Sequence, residues 1–193
     1  MKIYTREGFT NKINDKINEC ESCGNGKMKG GVASNVLKRK DLDVVFIAQN
    51  PGASNYGKAI EVYDIIPFGI ENENRYNYFF YILFRLFKRK FKRKLCFLMT
   101  NVFKCVTEDN SIDESVVDEC SKRFLEKEIR YIMKKNDKIK ILTIGSLAKK
   151  RYSMMSKKFG LEWHSCEHPG FLNRKGNEFV EEKANDVFKE MFL

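Results

Sequence analysis

The stretch that most constrains the fold is a short apolar run that ends in a turn. Residues 44–48 (Val-Val-Phe-Ile-Ala) show no polar alternation, and Gln49-Asn50-Pro51-Gly52 follows them. Such a run is typical of a strand buried on both faces, as in a parallel sheet. Pro51-Gly52 would end the strand, so Gln49 and Asn50 are predicted to stand at its carboxyl end, where open α/β sheets bind ligands. Taken alone, the run is equally compatible with an ordinary strand and turn.

The remaining chain alternates between apolar runs and helical periodicity. Strands are predicted at 43–48, 95–102, 139–144 and 162–166, and helices at 9–19, 75–91, 112–134, 147–158 and 177–192. This alternation predicts an α/β protein, with three αβα layers and a central, mainly parallel four-stranded sheet. A length of 193 residues fits a single domain over 1–193. Polar residues then end three strands at one edge: Asn50, Asn101 and His168.

Composition and charge narrow the class of protein. Apolar residues make up 42% of the chain and the net charge is +10, which favours a globular protein with a polyanionic partner, nucleic acid first. The chain has no apolar run of membrane-spanning length, and its first residues lack the core of a signal peptide. We therefore expect a soluble, cytoplasmic protein with no membrane partner.

One helix combines aromatic and basic residues. Phe80, Phe84, Phe87 and Phe91 recur at three- and four-residue spacing, which is typical of a stripe facing the core. The Lys and Arg residues of the run 85–94 would then face solvent or the phosphates of DNA.

Six cysteines occur in a chain that we expect to be intracellular, where metal ligands and buried thiols are commoner than disulfides. Cys96 lies inside a predicted strand and Cys166 ends another, so both are interpreted as buried thiols. The other four begin with a C-x-x-C pair and are widely spaced, unlike a zinc ribbon; they are Cys20, Cys23, Cys105 and Cys120. An iron–sulfur cluster accepts scattered thiolates, but spacing alone leaves zinc open.

Together these residues resemble the uracil-DNA glycosylase superfamily, most closely its iron–sulfur branch. That branch has a C-x-x-C near the N-terminus, an Asn-x-x-Lys-Cys strand end, here 101–105, and a cysteine on the next helix, here Cys120. The resemblance implies a structural 4Fe–4S cluster held by Cys20, Cys23, Cys105 and Cys120, with zinc as the alternative.

The resemblance also assigns the turn after the first strand. Asn50 falls at the family's water-positioning residue, and Gly52 belongs to the same substrate-binding turn. The iron–sulfur branch usually has a glutamate where this chain has Gln49. The Asn-Pro-Gly sequence looks more like the mismatch-specific and single-strand-selective branches. An amide can hold a water molecule but is not a strong base.

Three further positions resemble the family's base-binding residues. Phe68 would stack on the extruded base, Asn101 would read the pyrimidine edge, and His168 of His-Pro-Gly would donate to the base O2. Their ordinary structural roles would be a core Phe, a turn-capping Asn and a surface His. The segment with Phe171, Leu172 and Arg174 resembles the loop that inserts into the duplex.

The predicted function is that of a monofunctional DNA glycosylase, which removes uracil from DNA by base flipping and leaves an abasic site. The partner is DNA containing a damaged base, and a monomer is expected. One alternative is a glycosylase for hypoxanthine or for thymine opposite guanine. A second is a catalytically weak, cluster-bearing DNA-binding protein, prompted by the missing glutamate at position 49, and a third is a zinc-stabilised structural domain.

Overall fold

The computed structural model describes residues 16, 19–20, 42–49, 78–104 and 113–193, and the structural statements below concern these residues. Most of the predicted helix at 9–19 lies outside them. So do several predicted site residues, namely Asn50, Gly52, Phe68, Cys23 and Cys105.

Four strands form one parallel sheet in the described part of the chain. They are β1 (Val44–Ala48), β2 (Phe97–Asn101), β3 (Lys140–Ile144) and β4 (Trp163–Cys166). The spatial order is β2-β1-β3-β4, and all three pairings are parallel. The predicted strands are confirmed, with bounds that differ by at most two residues.

The helices lie between and after these strands. They are α1 (Tyr78–Phe91), α2 (Glu114–Cys120), α3 (Glu126–Met133), α4 (Ser146–Ser156), α5 (Pro169–Lys175) and α6 (Asn177–Phe192), with a π-helical stretch at Ser121–Leu125 joining α2 to α3. The helix predicted at 112–134 is therefore one continuous helical segment with a π-helical insertion. No helix among the described residues is both long and apolar enough to cross a membrane.

The sheet separates two apolar cores. Val45 and Ile47 of β1 pack on the side of α2, α3 and α4, whereas Val44 and Phe46 pack on the side of α1, α5 and α6. Successive side chains of a strand point to opposite faces, so a fully apolar strand with helices on both sides is buried twice. The predicted three-layer αβα architecture is confirmed.

The aromatic stripe of α1 packs against β1 as predicted, except at its end. The ring centroids of Phe46 and Phe80 lie 5.3 Å apart in an edge-to-face arrangement, and Phe87 is also buried. Phe84 is half-buried, whereas Phe91 remains 39% exposed. The prediction is wrong for Phe91 because this residue ends the helix, where the core-facing side gives way to solvent.

Residues 169–175 form α5, where the sequence predicted only a loop. His168 has extended backbone angles and caps the helix, and Pro169 occupies the first turn. Proline suits this position because its fixed φ fits the helix and its missing N–H would have no helical partner there. The dipeptide His168-Pro169 was thus a helix-start signal.

Candidate active site

The carboxyl ends of β1 and β2 are locked side by side. Asn101, the last residue of β2, stands opposite Ala48 in the parallel register. Beyond the strands, the Phe103 N–H donates to the carbonyl of Gln49 over 2.9 Å. Asn101 is only 3% exposed and Gln49 is half-buried. Asn101 was predicted to lie beside the turn that follows β1. The structure shows this proximity up to Gln49, the last described residue before the turn.

His168 reaches the same edge from the end of β4. The Gly145 N–H after β3 donates to the carbonyl of Cys166 over 2.8 Å, which holds the β4 exit against β3. A Cβ placed on Gly145 would lie 3.7 Å from the Cβ of His168, and the φ of Gly145 is +87°. Glycine is suited to such a positive φ. With strands about 4.8 Å apart, Asn101 at β2 and His168 beside β3 stand two strand spacings apart along the sheet edge, roughly 10 Å between their backbones.

The hydrogen bonds of His168 define which ring nitrogen can donate. Its Nδ1 accepts a hydrogen bond from the Gly170 N–H over 3.1 Å. An accepting Nδ1 carries no hydrogen, so the neutral ring has its hydrogen on Nε2. The cap therefore leaves an Nε2–H donor on the far side of the ring.

The surroundings of His168 favour this neutral form. Although the residue is exposed, partial removal of water from the imidazole lowers its pKa from 6.5, and the positive charge of Arg174 acts in the same direction. Burial and a nearby cation both disfavour imidazolium. His168 is thus a neutral hydrogen-bond donor at neutral pH.

A buried polar network brackets Asn101. The Nζ of Lys104 lies 2.6 Å from Glu128 Oε2 and 2.6 Å from Thr100 Oγ1, and the Thr100 hydroxyl donates to the same carboxylate over 2.7 Å. Lys104 has no exposed surface, and Thr100 and Glu128 are 1% and 2% exposed. The network therefore ties both flanks of Asn101 to α3.

The surface of α5 combines an aromatic ring with two cations. Phe171 is 41% exposed, with the guanidinium of Arg174 at 5.9 Å and the ammonium of Lys175 at 5.6 Å from its ring centroid. Leu172, by contrast, is fully buried in the core shared with α1 and α6. The predicted DNA contact of Leu172 is therefore corrected: its position on the inner face of α5 leaves Phe171 as the exposed apolar residue.

Two of the four predicted cluster cysteines are described, and both sulfurs accept hydrogen bonds. The Lys104 N–H donates to Cys120 Sγ over 3.4 Å, and the Arg123 guanidinium donates to Cys20 Sγ over 3.5 Å. Cys20 also packs against the core that contains Cys120. Donors aimed at sulfur favour the thiolate form that metals bind, so this pair fits a metal or cluster site.

The described residues alone do not assemble a complete metal site. No group of three potential His, Cys, Asp or Glu ligands occurs among them, and Cys23 and Cys105 lie outside them. The predicted buried thiols, Cys96 and Cys166, are buried as expected. Burial raises the pKa of the Cys166 thiol well above its ordinary range, so this thiol stays protonated at neutral pH.

Sequence reasoning missed the partners that hold the site. For Glu128 the sequence does contain an indication. Glu128 lies four residues after Phe124 and four before Ile132, on the apolar face of the helix, and a carboxylate on that face needs a buried partner. No sequence pattern predicts the contact of Arg123 with Cys20 or that of Gly145 with His168, because both contacts depend on tertiary packing.

These features first define a class: a parallel αβα protein that gathers a buried amide and a neutral imidazole at the carboxyl edge of its sheet. A family model, the uracil DNA glycosylase superfamily, matches residues 35–192. The chain therefore belongs to this superfamily, and the membership supports DNA as substrate and a glycosylase hydrolase as the class of enzyme. A search of curated proteins gave no match.

Replacing Lys104 by Met tests the buried network. The change would leave Glu128 as a buried charge without its ion-pair partner and should cost about 3–5 kcal/mol of unfolding free energy. The double variant Lys104→Met/Glu128→Leu should recover most of this loss, because a buried pair can be replaced by apolar residues of similar size. Urea denaturation measures both.

Lys158→Met is the matched control, since Lys158 pairs with Glu126 at the surface and should change stability by no more than about 1 kcal/mol. An unaffected Lys104→Met variant, or a double variant as unstable as the single one, would contradict the role of the network.

Proposed function

We propose that this protein hydrolyses the N-glycosidic bond of uracil in DNA and leaves an abasic site. The observation that carries the proposal is the hydrogen bond from the Gly170 N–H to Nδ1 of His168, which leaves an Nε2–H donor at the edge where Asn101 is held. Membership of the uracil DNA glycosylase superfamily supports the class of reaction, and the site residues support the choice of a pyrimidine.

Asn101 would read the base. An asparagine amide offers one donor and one acceptor, which complement O4 and N3–H of uracil. Its burial and the network on both flanks reduce its freedom to turn, so the reading geometry is fixed before the base arrives. Phe68, outside the described residues, would supply the stacking surface expected for an extruded base.

His168 would stabilise the leaving base. As the bond between C1′ and N1 breaks, the sugar becomes cationic and negative charge develops on the base, including its O2. A preorganised Nε2–H donor at O2 stabilises this charge, with a contribution of about 3–4 kcal/mol for one good donor. The bonding electrons leave with N1, which takes up a proton from solvent.

Water would complete the reaction at C1′. Asn50, with Gln49 beside it, would position the water molecule that attacks the cationic sugar. An amide positions water without removing its proton strongly, and a cationic sugar needs only a weak nucleophile. Lys104 is held in a buried ion pair, which argues against its use as an amine nucleophile and favours a monofunctional enzyme.

The exposed face of α5 would contact DNA beside the flipped base. Phe171 is placed to enter the emptied stack, and Arg174 and Lys175 flank it as phosphate contacts. Apolar wedges backed by cations are a recurrent means of separating stacked bases. The proposed wedge, Phe171, is three residues from His168, which caps the same short helix.

A second candidate function is release of another deaminated or mismatched base. The Asn-Pro-Gly sequence at 50–52, with Gln49 in place of glutamate, favours this alternative. A catalytically weak DNA-binding protein is the other possibility raised by the same substitution.

A panel of oligonucleotides separates these functions. Anaerobically purified protein is incubated with DNA containing uracil, hypoxanthine or thymine opposite guanine, and abasic sites are scored. We expect release of uracil and a loss of about 10²–10³-fold in the single-turnover rate for His168→Ala, the usual cost of removing one such donor. His164→Ala is the matched control, because His164 pairs with Glu162 at the surface.

Release of another base would keep the site and change the substrate. Binding to DNA without release of any base would contradict the enzymatic proposal.

We further propose that Cys20, Cys23, Cys105 and Cys120 hold a 4Fe–4S cluster. The hydrogen bonds to the sulfurs of Cys20 and Cys120 support this, and Cys105 directly follows Lys104, whose N–H reaches Cys120. When bound, the cluster would act structurally, by joining the segment around Cys20 to α2. Scattered thiolates favour iron over the tight pairs of a zinc ribbon.

Metal analysis tests the cluster. The protein purified without oxygen should be brown and contain about four irons per chain, as a 4Fe–4S cluster requires. Cys120→Ser should lose most of this iron, whereas Cys96→Ser should retain it. A colourless protein with one zinc would support the alternative, and equal iron in both variants would contradict the assignment of Cys120.

A further inference from the structure

The basic run at the end of α1 lies far from the candidate active site. Because β2 begins shortly after α1 ends, the carboxyl end of α1 stands at the amino edge of the sheet. Arg93 shows this placement, since its guanidinium donates over 2.7 Å to the carboxylate of Asp43, just before β1. Asn101 and His168 are at the opposite edge, about 17 Å away along five-residue strands.

This end of the molecule carries a dense set of exposed cations next to an exposed aromatic ring. We name this surface the amino-edge patch; it consists of Lys88, Arg89, Lys90, Phe91, Lys92 and Lys94. None of the five cations forms an ion pair with another described residue. All five side chains are exposed to solvent.

A groove of about 580 Å³ adjoins the patch. Phe87, Phe91 and Phe192 line it, and so do Arg93, Lys138 and Lys140. The ring centroids of Phe87 and Phe91 are 4.5 Å apart. Asp43 also lines the groove, but its carboxylate is engaged by Arg93 and by the Cys96 N–H. Among the three cations that line the groove, Lys138 is the one that has no ion pair with a described residue.

We propose that the amino-edge patch and its groove bind a second segment of DNA, in single-stranded form. Sites for single strands combine a cationic track for the phosphates with aromatic rings on which bases stack. Both parts are present here, and the track lies at the edge of the sheet opposite to Asn101 and His168. The enzyme would thus hold one segment at His168 and another at α1.

Two other occupants fit less well. Residues 1–41 contain nine Lys or Arg and only five Asp or Glu, so this part of the chain would be repelled by the patch. An acidic protein would satisfy the cations, but it gives no reason for the exposed ring of Phe91 and the half-buried ring of Phe192 along the groove. Charge and aromatic character together favour a nucleic acid.

A bridging assay tests the second site with the whole protein. The protein is first held by an immobilised undamaged duplex, and capture of a labelled 20-nucleotide single strand is then measured over a range of salt concentrations. The patch variant Lys88→Gln/Lys90→Gln/Lys94→Gln is compared with the control variant Lys127→Gln/Lys134→Gln/Lys157→Gln. Both remove three exposed lysines, and the control lysines lie on or directly after α3 and α4, in the opposite helical layer.

We expect the unsubstituted protein and the control variant to capture the strand. The patch variant should capture it at least tenfold more weakly, and the slope of log affinity against log salt should fall by about 2, as three lost phosphate contacts imply for a single strand. Equal capture by the two variants would overturn the proposal. So would absence of capture by the unsubstituted protein while it is bound to the duplex. Equal melting temperatures of the two variants show that the fold is intact.

Discussion

The ion pair between Lys104 and Glu128 is the interaction on which the arrangement of the site depends. It is buried beneath the carboxyl edge, and removing two charges from water is costly unless they pair closely. Thr100 completes the pair, while the second carboxylate oxygen of Glu128 has no hydrogen-bond partner among the described residues. Removal of either Lys104 or Glu128 would therefore leave the other charge buried without its ion-pair partner, which would lower the free energy of unfolding.

The segment from Thr100 to Lys104, at the end of β2, connects Asn101 to the helix that follows. Its side chains fix Asn101, and its backbone reaches the following helix, since the Lys104 N–H donates to Cys120 Sγ and the Ser121 hydroxyl donates to the Val102 carbonyl over 3.0 Å. The π-helical stretch begins at Ser121, and such insertions are frequent at functional sites. A cluster bound at Cys120 would thus support the base-reading edge through the exit of β2.

Electrostatics links DNA binding to the state of His168. A basic surface attracts the phosphates, but an imidazolium carries hydrogen on both ring nitrogens, so its Nδ1 could not accept the hydrogen bond from the Gly170 N–H. Partial removal of water lowers the pKa of His168, and the positive charge of Arg174, the exposed residue proposed to contact DNA, adds to this effect. The backbone cap from Gly170 then selects the nitrogen that keeps the hydrogen.

The sequence predicted the fold well because β1 is apolar throughout and short apolar runs alternate with helical periodicity along the chain; α6, for example, was predicted with its observed bounds of 177–192. Elements set by tertiary contacts were missed. The burial of Leu172 depends on α5 packing against α1 and α6, and the exposure of Phe91 depends on where α1 leaves the core. Glu128 carried a signal in its apolar surroundings, but its partner Lys104 lies 24 residues away, beyond the reach of local pattern.

The most direct test of the account is the protonation state of His168. Nitrogen-15 NMR of histidine-labelled protein, assigned with His164→Gln, reports the tautomer and the pKa. We expect hydrogen on Nε2 and a pKa of His168 below 6.5 that rises in Arg174→Gln but changes little in Lys175→Gln. A hydrogen on Nδ1, or a pKa at or above 6.5 in the unsubstituted protein, would contradict the neutral-donor role assigned to His168.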